Sequence, residues 1–129
     1  MTRNDFEDLV EQVVASIPES FRVHFQNLVF VVEDSPDRQL LAEAGSGTGE
    51  ELLGYYRGFP LSERQHDLLP SEPDMIYLFQ HSIEAEARAT DLPVAQVVRE
   101  TVVHEVAHYF GFSEAELERF ELLWAAGRA

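Results

Sequence analysis

His104-Glu105-Val106-Ala107-His108-Tyr109-Phe110-Gly111-Phe112-Ser113-Glu114 is the stretch on which the reading of this chain turns. It closes a run that opens at Thr90 or Asp91, takes Pro93 into its first turn and continues to Phe110. Gly111 then supplies a C-terminal stop, so this run reads as the longest helix. Val98, Val102, Val106 and Phe110 recur at helical spacing and predict its core-facing stripe, with Val103 and Tyr109 beside it. His104 and His108 project from nearly the opposite side. A helix buried along one side and carrying two histidines on the other forms the floor of a cleft.

Side chains four apart on a helix lie on one face, about one turn's rise from each other. Two imidazoles so placed reach a single tetrahedral ion about 2 Å from each ligating nitrogen, the geometry that zinc favours. Glu105 is rotated about 100° from His104. It therefore stands close to such an ion without being aimed to bind it, which suits a general base. The competing reading is a solvated histidine pair on a polar face. The chain has no cysteine, so disulfides and thiolate sites are excluded and any metal must use His, Asp or Glu. A catalytic zinc usually takes three protein ligands. Glu114, where the chain can double back after Gly111, is the first candidate for the third. Its other role would be to complement a helix dipole. Glu118 and Glu121 are alternatives, or solvated acids on the outer face of the last helix.

Outward from this segment, the last helix starts at Ser113, where Ser113-x-x-Glu116 makes a capping box, with Leu117, Phe120, Leu123 and Trp124 as its apolar stripe. Near the N-terminus, Asn4 or Asp5 caps a helix with Phe6, Leu9, Val10, Val13, Val14 and Ile17 on one face, and Pro18 ends it. Phe21 to Gln26 reads as a further helical turn. Leu28–Val32 is a buried strand before the turn Glu33-Asp34-Ser35-Pro36. Residues 35–50 read as a mobile loop. Its Gly45-Ser46-Gly47-Thr48-Gly49 segment lacks a following Gly-Lys-Ser/Thr, which argues against phosphate binding. Leu52–Arg57 and Met75–Phe79 are the second and third strands, separated by an irregular stretch from Gly58 to Pro73. A helix through Glu84 to Arg88 follows. The order predicts an α+β fold: a small three-stranded sheet packed with about four helices, in one domain spanning residues 1–129.

The formal net charge is −15, and all nine basic residues are arginine. Such a surface repels nucleic acid and anionic membranes and favours neutral or cationic partners, although acids also serve simple solubility. No apolar run suits a signal peptide or approaches the roughly 20 residues that span a bilayer. The expected location is cytoplasmic.

The motif His104-Glu-x-x-His108-x-x-Gly111-x-x-Glu114 resembles the zincin metallopeptidase signature, and the chain resembles the minimal zincin-like family of small bacterial proteins along nearly its whole length. The matching pieces include the first helix ending at Ile17-Pro18, Val32-Glu33-Asp34-Ser35-Pro36, Leu53-Gly54-Tyr55-Tyr56-Arg57-Gly58, Leu69-Pro70, and Asp74-Met75-Ile76-Tyr77-Leu78. The resemblance implies zinc held by His104, His108 and an acidic residue at position 114, with Glu105 as base. Larger zincins differ. Metzincins carry histidine at the position of Glu114 and a methionine turn after the motif, whereas Met1 and Met75 both lie upstream here. Thermolysin-like enzymes take a glutamate ligand about twenty residues or more downstream, and no acid lies beyond Glu121.

The activity expected is zinc-dependent hydrolysis of a peptide or protein substrate. A peptide would add as a strand along a sheet edge, with Met75–Phe79 as the chosen edge. Tyr77, Tyr109 and His81 are possible oxyanion donors, each with a packing or surface role as the alternative. A zinc-containing binding module that docks a basic partner without chemistry is the rival class. Hydrolysis of a non-peptide amide or ester is a third reading.

Overall fold

In the computed structural model, which describes residues 1–45, 52–58, 60 and 73–127, the N-terminal helix α1 spans Arg3–Ala15. The Thr2 side chain accepts from the Asp5 N–H at 3.1 Å. The cap therefore falls two or three residues earlier than the expected Asn4 or Asp5, because Thr2 already satisfies an orphan donor of the first turn. A short helix α2, Glu19–Arg22, precedes strand β1, Leu28–Glu33. Helix α3, Arg38–Ala44, corrects the loop expected over residues 35–50. Asp37 accepts from the Leu40 N–H at 2.8 Å, and Gly45 closes the helix in the left-handed conformation. Arg38-Gln-Leu-Leu-Ala-Glu-Ala is rich in helix formers between a good cap and a good stop. The glycines that follow mask it in the sequence, and residues 46–50 lie outside the described residues. So does most of the stretch between Gly58 and Pro73.

Strands β2, Gly54–Arg57, and β3, Asp74–Phe79, complete a sheet of order β1-β3-β2. β1 pairs parallel to β3, and β2 pairs antiparallel to it. β3 is thus the central strand, not the edge expected from sequence. Its side chains explain why. Ile76 and Leu78 join the main core, whereas Tyr77 and Phe79 pack with Leu40 of α3 on the other face. A strand apolar on both faces belongs inside a sheet.

Helix α4, Gln80–Thr90, follows β3 directly. Thr90 donates back to the Glu86 carbonyl at 2.7 Å, and Asp91 takes the left-handed conformation at the C-cap. Thr90 and Asp91 therefore end one helix and do not open the next. Helix α5, Val94–Phe110, starts after Pro93, and α6 covers Glu114–Gly127. The capping box forms as expected: Ser113 N–H donates to Glu116 at 3.1 Å, and Glu116 N–H donates to the Ser113 hydroxyl at 3.2 Å. Phe120 and Trp124 are fully buried, but Leu123 is 41% exposed and lies off the stripe. The described residues form six helices: the helical turn expected at Phe21–Gln26 falls earlier, as α2, and α3 is the addition. No described helix is long and apolar enough to cross a membrane.

Candidate metal centre

Val98, Val102 and Val106 are fully buried along one side of α5, as their spacing predicts. Tyr109 belongs to the same core, and its hydroxyl accepts from the Gln26 N–H at 2.7 Å. This fixes the rotation of the helix about its axis. His104 and His108 consequently face outward, both exposed. Their ring centroids lie 5.6 Å apart with the planes at 77°. Zinc–nitrogen bonds of about 2 Å at a tetrahedral centre place two imidazole centroids roughly 5 Å apart. The spacing of the pair is close to that value. A cleft of about 320 Å³ opens over them, bounded by Gly111, Phe112 and Leu117 on one side and Pro60 on another.

Glu105 is 9% exposed and lies against β2. Burial pushes its carboxyl above the usual range, while the His104 charge and the Tyr56 backbone N–H, which donates to it, pull it back. The strand approaches closely because Gly54 has no side chain. A Cβ at Gly54 would stand 2.7 Å from Thr101 Cγ2, 2.9 Å from the Tyr77 carbonyl oxygen and 3.4 Å from Glu105 Cγ. Gly54→Ala must part β2 from α5, and we expect a loss of about 1–3 kcal/mol in chemical denaturation. An unchanged midpoint would show that this contact is looser than drawn. Beyond it, the Tyr56 hydroxyl donates to Asp74 at 2.7 Å and anchors the strand that meets Glu105. Sequence reasoning missed this contribution of β2, although a glycine inside an apolar strand is the usual mark of close backbone approach.

The structure pairs His104 with His108, and Glu105 feels the charge of His104 without lining the cleft. Glu114 is not brought to them: among the described residues, no group of three His, Asp or Glu side chains is arranged to hold a metal. Glu114 is exposed at the first position of α6 and does not line the cleft. Glu118 and Glu121 share with His104 a separate groove between α1, α5 and α6. None of the three suggested oxyanion donors lines the cleft. Tyr109 is bonded within the core, and Tyr77 stacks on Phe79 and accepts from Arg57 on the α3 side of the sheet. His81 donates its backbone N–H to the Asp34 carbonyl at the start of α4.

A sequence profile described as zincin-like metallopeptidase matches residues 25–124, most of the chain. The chain belongs to this family. A solved structure, described as a conserved hypothetical protein from T. thermophilus, is similar to this zincin-like chain. The two share 26% identity and superpose with a TM-score of 0.51, over 99% of this chain and 100% of the other. No curated protein matches it. Family membership supports metallopeptidase chemistry and zinc as its usual metal at the level of the family.

Proposed function

We propose that this protein is a zinc-dependent hydrolase acting on peptides, with His104 and His108 as metal ligands, Glu114 as the third and Glu105 as general base. The observation that carries the reading is the exposed histidine pair with a buried carboxylate next to His104 in sequence. The chemistry that a bound zinc supplies is Lewis acidity, which activates water near neutral pH and polarises a carbonyl. Glu105 accepts the proton of the attacking water and returns it to the departing amine nitrogen. Its contact with the Tyr56 N–H holds the carboxylate beside β2. With β3 central, an extended substrate adds beside β2, the strand that packs on α5. The net charge of −15 favours neutral or cationic peptides.

Glu114 makes no hydrogen bond or ion pair among the described residues, so turning its carboxylate to a metal breaks no contact. Its place three residues after Gly111 supports it as the ligand. Glu114→Ala should weaken zinc binding strongly in a chelator competition, while Glu118→Ala and Glu121→Ala leave it near the parent value. If Glu121→Ala proves the damaging change, the turn through Gly111 does not deliver the third ligand.

A further inference from the structure

A groove of about 1090 Å³ runs along α5 from Pro93 to His104, with α1 as one wall and α6 as the other. We infer that this groove binds the length of substrate on one side of the bond to be cleaved, and selects peptides that alternate apolar and basic residues. The inference rests on the hydrolase reading above, because His104 lines both this groove and the cleft over the histidine pair.

Three observations define the occupant. The first is length: eleven residues of helix rise about 16 Å, which an extended peptide covers with roughly five residues. The second is an apolar lining supplied from all three helices, Leu9 and Val13 from α1, Val103 from α5, and Leu122 and Ala125 from α6. Leu122 is 65% exposed and so open to an occupant of the groove. The third is charge. Glu100, Glu118 and Glu121 line the groove, all are exposed, and none forms an ion pair among the described residues. The arginine there, Arg99, is held with its guanidinium 5.1 Å from the centre of the Trp124 ring. The lining is therefore apolar with an excess of acids, complementary to arginine or lysine stems lying on the apolar side chains with their charges at the carboxylates.

The chain contains its own reporter. Trp124 is the only tryptophan. It is buried beneath Arg99 and donates to the Ser16 hydroxyl at 3.1 Å, and both of these partners line the groove. Metal-free protein is titrated with an amidated hexapeptide alternating leucine and arginine, and with its leucine–glutamate counterpart, while tryptophan emission is followed. The arginine peptide should shift the emission saturably. Its Kd should rise by about tenfold or more in the Glu118→Gln, Glu121→Gln double variant, and also in Leu122→Ser, since both charge and apolar contact are used. The glutamate peptide should give no shift. Equal affinity for the two peptides, or an unchanged Kd in both variants, overturns the groove. Because metal is absent, the titration is independent of the hydrolase reading. Binding without cleavage by zinc-loaded protein removes the catalysis and keeps the groove. Cleavage whose sequence preference ignores Glu118 and Glu121 removes the groove and keeps the catalysis.

Discussion

His104→Ala and His108→Ala should each weaken zinc binding by well over 100-fold. Loss of an outer-sphere partner typically costs about 10–100-fold, and these side chains are direct ligands in our account. Among the described residues, nothing else in the cleft replaces them: Ala107, Gly111, Phe112, Leu117 and Pro60 offer no side-chain donor to a metal. The fold should survive, because both histidines are exposed and outside the core. Substitutions at such positions usually stay within about 0.5 kcal/mol. Metal-free variants should therefore melt like the metal-free parent while failing to retain zinc in competition with a chelator. Full retention by both variants would place the metal elsewhere.

The second large effect separates base from ligand. Glu105→Gln preserves the size of the side chain and keeps an oxygen to accept from Tyr56 N–H, yet cannot take a proton. Turnover should fall by about 10²-fold or more, the scale of losing general base catalysis, with zinc content unchanged. Stability moves the other way. Burial raises the carboxyl pKa in the folded protein, so the folded state holds its proton more tightly than the unfolded chain does. The stability tied to that proton is fully present below the unfolded pKa and is lost as pH rises through the folded value. An amide never carries the charge. Metal-free Glu105→Gln should then melt at or above the parent at pH 7, with the difference closing as pH falls through the carboxylate range. A lower melting temperature at pH 7 would show that the carboxylate stabilises the fold. In a protein that only binds partners, the same substitution should leave partner affinity alone.

Much of this fold is legible in the amino-acid order. The valines at 98, 102 and 106 define the buried side of α5, and that alone turns His104 and His108 outward. The capping box at Ser113 is readable because its bonds are local, three residues apart. The failures over the sheet and the site come from longer-range pairing, whereas that over α3 is local. Met75–Phe79 reads as an edge because hydropathy states that a strand is buried but not which neighbours it has. Only the presence of Leu40 behind Tyr77 and Phe79 shows that both faces are covered. α3 is hidden by the glycines next to it, although Asp37 and Gly45 bracket it with a cap and a stop. The support of Glu105 by Gly54 and Tyr56 joins residues about fifty positions apart, and spacing within one helix carries no trace of it. The third ligand stands on spacing alone, since Glu114 belongs to a helix whose approach to α5 is set by tertiary packing.

The central claim is that hydrolysis depends on zinc at the histidine pair. It is tested most directly by following cleavage of a peptide library before metal removal, after it, and after one equivalent of zinc is returned, with His104→Ala carried through the same cycle. The account predicts that stripping abolishes cleavage, that zinc restores it in the parent, and that the variant recovers none at that stoichiometry. Cleavage that persists in the stripped parent, or that returns equally in His104→Ala, would contradict it.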